Sequence, residues 1–426
     1  MKILNLQENF LNIRIVLAKI IPFKGYLPPS SLAEIVTCPP YDVLSSDEAR
    51  AIAKNNKISF LRVIKPEVDF SNLNELDVSL HEHASNNLKS FIADGTLVHE
   101  NEECFYVYQI SIGEHIQTGL IAAVSVQEYD DGLIKKHEYT RPEKENDRTL
   151  HIEKTRANTG PVFLTFKSEK KFSEYLSNIK SRESDISFKS NDDTVHSLWK
   201  VRDKGYLFDL QKYFQTIDCL YIADGHHRAA SASRIQKIFA GRNSSHNGNE
   251  PYNYFLASIF PHDEVKILGY NRLIKDLAGL SEEKFLNDLK INFKIIKLTH
   301  PKPPTERNLF SMYLNGYWYY LKPKNKILDK DSVSRLDASI LQDYILGPIL
   351  KVNNPRTDER IDFVGGVKGL DELERRCHLD SKVAFALYPV LIKDLFKVSD
   401  EGKVMPPKST WFEPKLRSGL VVRLFD

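Results

Sequence analysis

Cysteine is scarce in this chain, whose 426 residues include four that lie far apart in the sequence. Such spacing excludes a disulfide framework, offers no metal-binding knuckle and is typical of a reducing cytoplasm. Uninterrupted apolar runs of the roughly 20 residues that a membrane helix needs are also missing. The segment Met1 to Ile21 includes Glu8 and Arg14 and lacks the apolar core of a signal peptide. We therefore expect a cytoplasmic protein without membrane contact.

An excess of charge of either sign is absent as well. Lys and Arg number 59 and Asp and Glu number 57, which gives a net charge of +2. A nearly neutral chain provides no global attraction to nucleic acid, so we expect no nucleic-acid partner. Hydrophobic residues make up 42% of the chain and charged residues 27%, an ordinary globular composition that excludes disorder over the whole chain. Repeats of about 20–50 residues are not visible, which excludes solenoids and propellers.

Alternating and apolar runs predict a series of strands before residue 265. These strands are Glu103 to Ile112, Thr118 to Val126, Pro161 to Phe166, Cys219 to Ala223 and Tyr254 to Phe260. A helix rich in Ala and Ser is predicted after the fourth strand and reaches about Ala240, before a polar loop from Gly241 to Glu250. The polar segment Ser168 to Asp193 predicts a helix in its first half and an exposed loop in its second half.

The pattern changes after residue 265, where we place a domain boundary. Ser281 is predicted to cap a helix, and Asn315-Gly316 predicts a two-residue hairpin turn because both positions accept positive φ. A further helix is predicted from Leu336 to Leu350. The end of the chain, Met405 to Asp426, is too aromatic for a frayed tail, and we expect it to pack back near the site.

The strongest chemical motif is Ile222 to Ser231, with the sequence IADGHHRAAS. A strand that ends in Asp-Gly and opens into a helix exposes unpaired backbone N–H groups, which favour an anion together with the helix dipole. Gly225 lets the backbone approach a phosphate closely, and Arg228 adds a fork of donors. Asp224 could cap the helix, bind a divalent cation or contact a substrate amine or hydroxyl. The structural alternative is a capped helix with two partly buried histidines. A zinc site is disfavoured because adjacent histidines on a helix point about 100° apart.

The second motif, His137 to Arg148, has the sequence HEYTRPEKENDR and contains no aliphatic residue. A solvated loop is the ordinary interpretation of such a charged run. In this run, however, a candidate base (Glu138 or His137) occurs together with the cations Arg141, Lys144 and Arg148. Groups of these types position and neutralise phosphates during transfer, so both interpretations stay open.

A third motif is PPYDV, residues 39–43. Its two prolines fix an extended approach and present Asp42 at a turn. Asp42 is then either a reactive carboxylate or the cap of a helix that covers Ser45 to Ala53.

The fourth motif is KSTWFEPK, residues 408–415. It places the polar side chains of Lys408, Ser409 and Thr410 beside an aromatic pair. This run could close over a ligand, or it could anchor the C-terminus as an aromatic plug.

Six blocks of the sequence together resemble a known family. They are PPYDV, RVIKPE, HEYTRPEKENDR, ANTGPVFL, ADGHHRAAS and MPPKSTWFEPKLRSGL. The blocks resemble the bacterial and archaeal family named domain of unknown function 1015. They occur in order within the span from Phe23 to Leu420, so the resemblance covers nearly the whole chain. The family name itself implies no activity.

The block ADGHHRAAS also resembles the signature of the ParB/sulfiredoxin superfamily, and especially of its free-serine kinases. In that superfamily the corresponding turn between strand and helix binds nucleotide phosphates. The resemblance implies phosphate-binding roles for Gly225, His226, His227 and Arg228. It also implies that Asp224 orients substrate or a metal ion. The catalytic carboxylate of the superfamily has no unambiguous match in this chain, and Glu138 and Asp42 are the candidates.

These observations predict an α+β protein in two parts. Residues 1–265 form a ParB/sulfiredoxin-like core with N-terminal elaborations, and residues 266–426 form a second α+β lobe. The predicted function is phosphoryl transfer to a small hydroxyl compound, with L-serine first among acceptors and ATP, ADP or pyrophosphate as donor. The predicted catalytic residues are Glu138, Asp42 and Asp224. Further donor-binding residues are Arg141, Lys144 and Arg148, and the predicted substrate-binding residues are Lys408, Ser409 and Thr410. Asp224 is also the predicted ligand of Mg²⁺.

Two other function classes stay open. One is a non-enzymatic, nucleotide-responsive or DNA-associated protein like ParB, which the even charge argues against. The other is a sulfiredoxin-like ATP-dependent reductase, which needs a cysteine beside the turn, where this chain has His226. Walker-type GxxxxGK[ST] loops and protein-kinase GxGxxG loops are absent from the sequence, which disfavours those kinase classes. The sequence leaves the oligomeric state open, a homodimer included.

Overall fold

The computed structural model describes residues 18–70, 77–327 and 331–425. Residues 1–17, most of the segment in which we expect no signal peptide, lie outside the described residues. Among the described residues, no helix is both long enough and apolar enough to cross a membrane. The four cysteines are unpaired: Cys38 and Cys104 are buried, and Cys219 and Cys377 are half-buried.

Twenty-one strands occur in the described part of the chain. The first eleven are β1 (Ile20–Ile21), β2 (Tyr26–Leu27), β3 (Val98–His99), β4 (Phe105–Ile112), β5 (His115–Ser125), β6 (Ile134–Lys135), β7 (Ala157–Asn158), β8 (Val162–Phe166), β9 (Ile186–Lys189), β10 (Val195–Val201) and β11 (Leu220–Asp224). The other ten are β12 (Tyr254–Pro261), β13 (Lys266–Leu268), β14 (Tyr270–Ile274), β15 (Phe293–Lys297), β16 (Phe310–Leu314), β17 (Tyr317–Pro323), β18 (Ile361–Gly365), β19 (Val383–Ala386), β20 (Trp411–Glu413) and β21 (Arg423–Leu424).

Thirteen α-helices accompany these strands within the same described ranges. They are α1 (Ala33–Val36), α2 (Ser46–Ala53), α3 (Leu61–Ile64), α4 (Ser79–Ala93), α5 (Val126–Asp130), α6 (Pro142–Thr155), α7 (Lys170–Lys180), α8 (Lys204–Phe214), α9 (His226–Arg242), α10 (Glu282–Asn292), α11 (Asp337–Leu341), α12 (Gly369–Leu379) and α13 (Ile392–Asp400). Short 3₁₀ helices cover Ser30–Leu32, Pro66–Asp69, Pro251–Asn253, Asn325–Ile327 and Gly366–Lys368. The helix predicted over residues 336–350 is α-helical only as α11 and continues as a π-helical turn, Gln342–Leu346.

The larger sheet is built from the N-terminal part of the chain. Nine of the described strands form it, in the order β6-β11-β8-β12-β5-β4-β10-β9, and β1 pairs with β5. β11 is parallel to β6, and β12 is parallel to β8. The other pairs are antiparallel, so the sheet is mixed.

Both faces of the larger sheet are covered by apolar side chains, because successive residues of a strand point to opposite faces. In β5, Leu120 and Val124 belong to a hydrophobic cluster that α7 and α8 complete. Ile121 and Ala123 of the same strand belong to a second cluster, which includes Leu420 from the end of the chain. A strand buried on both faces is apolar at nearly every position, as β5 is from Gly119 to Val124.

The smaller sheet is antiparallel, with the order β15-β17-β16-β19-β14-β18. Its predicted hairpin is confirmed, since Asn315 and Gly316 join β16 to β17 with φ angles of 46° and 81°. The predicted helix cap is confirmed too, because the side chain of Ser281 accepts the N–H of Lys284 at 3.2 Å at the start of α10. Phe285 of α10 lies in the core under this sheet.

The strands predicted before residue 265 are confirmed as β4, β5, β8, β11 and β12. The prediction for residues 168–193 is wrong in part. Its first half forms α7, but its second half contains β9, an edge strand that pairs with β10. Buried Ile186 and Phe188 alternate with exposed Ser187 and Lys189. This alternation of period two is only four residues long, and the charged residues around it hide it.

The architecture is therefore mixed α+β with a large mixed sheet. The ParB/sulfiredoxin-like core and the division at residue 265 stay predictions. The larger sheet ends in the sequence with β12 at Pro261, and the smaller sheet begins with β14 at Tyr270. The C-terminal segment returns to the N-terminal part, where β21 pairs with β7 and Ser418 forms a bridge pair with Cys38.

Candidate functional site

The turn between β11 and α9 has the form that the sequence predicts. β11 ends at Asp224, and Gly225 is the N-cap residue of α9 with a φ of 93°, a left-handed value that favours glycine. Space is limited as well, since a Cβ atom on Gly225 would lie 3.1 Å from Nε of Arg228. No side chain caps α9, and its first N–H groups can therefore attract an anion.

Asp224 does not cap α9, so that alternative is wrong. Its Oδ1 accepts the N–H of Gly225 at 2.8 Å, and its Oδ2 lies 2.8 Å from Nζ of Lys415. Burial by itself raises the pKa of Asp224, but the charges of Lys415 and Arg228 outweigh it and hold that pKa well below its usual range. The carboxylate is therefore ionised and already has a cationic partner. Its roles as a catalytic residue and as a Mg²⁺ ligand stay predictions.

Lys415 reaches the turn from the C-terminal segment. Its ammonium nitrogen lies 4.3 Å from the centre of the Trp411 ring. The neighbouring Phe412 is 1% exposed, and its ring centre lies 5.4 Å from that of Phe163 in β8. The run 408–415 thus anchors the end of the chain through an aromatic plug and also brings charge to the site.

His226 and His227 have different partners, as their positions on a helix predict. Nε2 of His226 accepts the backbone N–H of His137 at 3.5 Å, and Nε2 of His227 accepts that of Arg141 at 3.0 Å. Burial lowers the pKa of His226, and it lowers the pKa of His227 to about 4. Both rings are therefore neutral at physiological pH, and they hold the backbone of the charged motif against the start of α9.

Arg228 folds back over Gly225 in the first turn of α9. Its Nη1 donates to the carbonyl of Pro161, and its Nε is buried without a hydrogen-bond partner. Arg228 also lines a small cavity together with Tyr41 and Arg148. The volume of this cavity is about 30 Å³, which is room for about two water molecules, so a nucleotide base does not fit there.

A larger cleft shares Tyr41 and Arg148 with this cavity. We call it the Arg148 cleft, and its volume is about 310 Å³. Its cationic lining residues are Lys65, Arg141, Lys144, Arg148 and Lys408, and its carboxylates are Asp42, Glu67 and Asp147. Because the cations outnumber the carboxylates, the Arg148 cleft favours an anionic ligand.

Arg148 is held in this cleft by Asp147, by Tyr41 and by the carbonyl of Ile64, which accepts its Nη1 at 3.3 Å. Its Nε and Nη2 lie 2.8 and 2.7 Å from Oδ2 of Asp147. Its guanidinium carbon lies 4.2 Å from the centre of the Tyr41 ring. Burial by itself lowers the pKa of Arg148, but Asp147 raises it, so the guanidinium is charged and fixed in direction.

The interpretation of the second motif as a solvated loop is wrong for its second half. Pro142 begins α6, where its fixed φ suits the first helical position, and Asp147 of this helix is 8% exposed. The alternative for Asp42 is wrong too, because Ser45 caps α2 and forms a capping box with Glu48. Asp42 lies exposed in the turn before this cap, on the rim of the Arg148 cleft.

A second cleft, which we call the Glu138 cleft, has a volume of about 290 Å³. Its carboxylates are Glu138, Asp358, Glu359 and Asp362, and its cations are Arg141, Arg356 and Lys408. Burial raises the pKa of Glu138, and the nearby ammonium of Lys408 opposes that rise. The two clefts share Arg141, His227 and Lys408, which form a common wall.

Lys408 stands in this wall with a left-handed φ of 57°. Burial by itself lowers the pKa of Lys408, but Tyr270 and Glu138 raise it, so the ammonium is charged. Its backbone carbonyl accepts Nη1 of Arg272 at 3.0 Å, and the carbonyl of Pro407 accepts Nη2 at 3.1 Å. Burial lowers the pKa of Arg272 to about 10. Arg272 is therefore the side chain that fixes the loop carrying Lys408.

Among the described residues, His137, Glu138 and His226 form a group that could hold a metal ion, since one donor atom from each lies within 4.8 Å of the others. The two imidazole rings meet edge to face with centres 4.5 Å apart. Nε2 of His137 lies 3.1 Å from Oγ1 of Thr410, and burial lowers the pKa of His137 to about 4. Asp224, the predicted metal ligand, is not part of this group.

The sequence matches the family described as "Protein of unknown function (DUF1015)" over residues 20–339. The chain belongs to this family. The match confirms the resemblance drawn from the sequence blocks. It includes the charged motif and the start of α9, and it ends before Lys408 and Lys415. No curated protein matches this DUF1015 chain.

Several solved structures are loosely similar to the DUF1015 protein. SbnI with a C-terminal truncation, from Staphylococcus aureus, is 13% identical with a TM-score of 0.38, over 71% of this chain and 87% of that chain. A free serine kinase in complex with AMP is 12% identical with a TM-score of 0.34, over 69% of this chain and 86% of that chain. A conserved hypothetical protein from Pyrococcus furiosus is 13% identical with a TM-score of 0.34, over 69% of this chain and 90% of that chain. Similarities this loose carry no argument about the activity of the DUF1015 protein.

The structure brings six of the thirteen predicted site residues of the DUF1015 protein together in one cleft. Those that line the Arg148 cleft are Asp42, Arg141, Lys144, Arg148, His227 and Lys408. Asp224, Gly225 and His226 line neither cleft. Ser409 and Thr410 line neither cleft as well, and the hydroxyl of Ser409 donates to the carbonyl of Pro406 at 2.7 Å.

Sequence reasoning missed several residues of the two clefts. Lys65 and Glu67 form a buried ion pair with Nζ and Oε1 2.9 Å apart, and both belong to the RVIKPE block that carries the family resemblance. Asp147 lies inside the charged motif, so the motif itself could have indicated this residue as part of the site. Arg356 lines the Glu138 cleft, and Arg272 contacts the loop that carries Lys408. Both lie outside the four motifs, so only the fold brings them to the site.

Proposed function

We propose that the DUF1015 protein is a small-molecule kinase that transfers a phosphoryl group to a hydroxyl metabolite, with L-serine first among acceptors. One observation carries this proposal. An anion-favouring cleft and a cleft of mixed charge share a wall formed by Arg141, His227 and Lys408. A donor phosphate on one side of this wall and an acceptor on the other would meet at its cations, which can neutralise the charge that develops during transfer.

The donor is assigned to the Arg148 cleft and to the adjoining start of α9. The uncapped N–H groups of α9, the buried Nε of Arg228 and the fixed guanidinium of Arg148 are groups that bind phosphate. Arg141, Lys144 and Lys408 add charge to the same cleft. ATP, ADP and pyrophosphate all carry the anionic groups that such a cleft suits.

The acceptor is assigned to the Glu138 cleft. This cleft contains four carboxylates and three cations, so it offers partners both for an ammonium group and for a carboxylate group. A free amino acid with a hydroxyl side chain carries both groups and a nucleophile. Lys408 remains the principal substrate-binding candidate, whereas the hydroxyls of Ser409 and Thr410 already contact Pro406 and His137.

Glu138 is the first candidate for the base that takes the proton from the acceptor hydroxyl, because it lies in the acceptor cleft beside Lys408. Asp42 is the second candidate, from the donor side of the wall. Mg²⁺ is expected to accompany the donor phosphates, with Asp224 as the candidate protein ligand once Lys415 moves away. We assign the part that contains β11 and α9 to a ParB/sulfiredoxin-like core as part of this proposal.

The experiment that tests the proposal incubates the pure protein with each donor, Mg²⁺ and a panel of hydroxyl metabolites, and detects phosphorylated products by mass spectrometry. Lys408→Met should abolish product formation, because it removes the cation of the common wall. Lys403→Met is the matched control, since Lys403 lies in the same segment with a 45% exposed side chain paired with Glu401. Nucleotide binding without any product would favour the non-enzymatic alternative, and the absence of both would reject the proposal.

A further inference from the structure

We propose that His137, Glu138 and His226 form a binding site for a divalent transition-metal ion of the zinc class. This inference goes beyond the proposed function, which calls for Mg²⁺ at the donor phosphates. It concerns a metal held by protein side chains alone. Metal binding can be measured without donor or acceptor, so the two proposals can fail independently.

The set of donor atoms determines the class of the metal. Two imidazole nitrogens and one carboxylate oxygen suit Zn²⁺ and its transition-metal neighbours, whereas Mg²⁺ prefers a shell of oxygen atoms. Three protein ligands also leave a fourth position of a tetrahedral zinc ion open. Zinc–ligand bonds of about 2.0–2.2 Å at tetrahedral angles place ligand atoms about 3.3–3.6 Å apart. The present separations do not exceed 4.8 Å, so side-chain rotations that shorten them by at most about 1.5 Å complete the site.

An unsatisfied polar atom at this place points to a ligand independently. Nδ1 of His137 is buried without a hydrogen bond of normal geometry, although the backbone of Ile222 lies near the ring, and the residue is 1% exposed. A buried polar atom without a good partner destabilises the folded protein, and a bound ion would remove that cost. The other ring nitrogen of His137 contacts the hydroxyl of Thr410 at 3.1 Å, as a residue of the outer shell does when it orients a metal-binding imidazole.

The backbone of Ile222 hydrogen-bonds the His137 ring and the backbone of Lys408 hydrogen-bonds Glu138, and the other contacts of the group are weak or electrostatic. Nε2 of His226 accepts the N–H of His137 at 3.5 Å, at the long limit of hydrogen bonding, so a metal ion can displace this contact. The carboxylate of Asp224 interacts electrostatically with all three proposed ligands and favours a cation there. The ammonium groups of Lys408 near Glu138 and of Lys136 near His226 oppose it.

The metal site and the proposed base share Glu138. A carboxylate that holds a metal ion is a weaker base, because the ion withdraws the electron pair that would accept the proton. The metal-loaded protein would therefore leave the base role to Asp42, and zinc would act as an inhibitor wherever Glu138 is the base. Zinc binding to a protein that shows no kinase activity would reject the proposed function and leave this inference intact.

The test is calorimetric titration of chelator-treated protein with ZnCl₂, with no nucleotide and no acceptor present. We expect one ion per chain, and we expect excess Mg²⁺ not to displace it. Glu138→Gln and His226→Gln should each weaken zinc binding at least about 100-fold, since loss of an outer-shell partner alone costs 10- to 100-fold. Lys408→Met should strengthen zinc binding, because it removes the opposing charge.

Two histidines elsewhere supply matched controls. His196 is 2% exposed and hydrogen-bonded to Tyr108, and His246 lies 2.9 Å from Glu250 at the surface. His196→Gln and His246→Gln should leave the zinc affinity unchanged. Absence of zinc binding by the wild-type protein would overturn the inference, and so would wild-type affinity in folded Glu138→Gln and His226→Gln. Equal weakening by the controls would overturn it as well.

A measurement on the wild-type protein covers the case in which the ligand variants do not fold. Co²⁺ in a site of two imidazoles and a carboxylate has visible ligand-field absorption, which zinc should abolish at one equivalent. A cobalt-loaded wild-type protein without such bands would also overturn the inference.

Discussion

Arg228→Ala is the change that tests the donor site most directly. Arg228 lies in the first turn of α9, its Nη1 donates to the carbonyl of Pro161, and its Nε is buried without a partner. In the proposed function this guanidinium donates a charge-assisted bond to a donor phosphate. Loss of such a bond costs about 1.5–3 kcal/mol. Since 1.4 kcal/mol corresponds to a factor of ten, the dissociation constant of ADP should rise roughly 10- to 150-fold.

The assay is a calorimetric titration of folded wild-type and variant protein with ADP, with folding checked by near-ultraviolet circular dichroism. Arg234→Ala is the matched control, because Arg234 lies on the same helix with a 43% exposed side chain and pairs with Glu145 at 3.4 Å. We expect Arg234→Ala to bind ADP like the wild type. Arg228→Lys should give an intermediate affinity, because it keeps the charge and loses the fork of donors.

Wild-type ADP affinity in a folded Arg228→Ala variant would show that the start of α9 does not bind the donor. Equal weakening by Arg228→Ala and Arg234→Ala would show that only the overall charge of α9 matters. Either result would refute the reasoning from the uncapped helix start.

Four further predictions follow from the site and from one buried carboxylate. Glu138→Gln should lower kcat about 10²- to 10⁴-fold and leave donor binding nearly intact. If Glu138→Gln stays active and Asp42→Asn is inactive, Asp42 is the base instead of Glu138. If both variants stay active, the base is another residue. Turnover measured with excess chelator should stop, and full turnover would reject the Mg²⁺ requirement. Gly225→Ala should weaken ADP binding and lower the melting temperature, because Gly225 has a φ of 93° and Arg228 lies against it. Burial raises the pKa of Glu128 to about 7 from 4.5, so the folded state binds this proton more tightly and stability falls as pH rises between these values. Glu128→Gln keeps an acceptor for the N–H of Lys19 and should raise the free energy of unfolding, measured in urea, by about 3 kcal/mol at pH 8 and not at pH 4. An effect that does not depend on pH would contradict the assignment.

Local sequence patterns predicted the parts of the fold that depend on neighbouring residues. The apolar run before Asp224, the glycine after it and the small residues beyond specify a strand, a left-handed turn and a helix, and β11 and α9 follow in that order. The hairpin at Asn315-Gly316 is determined in the same way by backbone preference. The strand β9 was not predicted, because it has only two apolar side chains and lies in a segment rich in charged residues.

Only part of the candidate site was predicted, because local patterns show which residues are present and not which residues they contact. Its motifs contain the residues that could bind phosphate, and several of them converge on the Arg148 cleft. The partner of each residue was not predictable. The sequence allowed Asp42 to cap a helix, but in the structure Ser45 caps α2. It also allowed Asp224 to cap α9, but in the structure the carboxylate of Asp224 pairs with Lys415.

The sequence by itself determined the kinds of chemistry available to this protein: the family, the uncapped helix start, and the charged and imidazole groups that its motifs carry. Tertiary structure alone decided which of these groups meet. Lys415 and Asp224 are 191 residues apart, Arg272 and Lys408 are 136 apart, and His137 and His226 are 89 apart. Backbone preference acts over a few residues, whereas these contacts depend on the strand order of the sheets and on the return of the C-terminal segment, which are set by the burial of apolar surface across the whole chain.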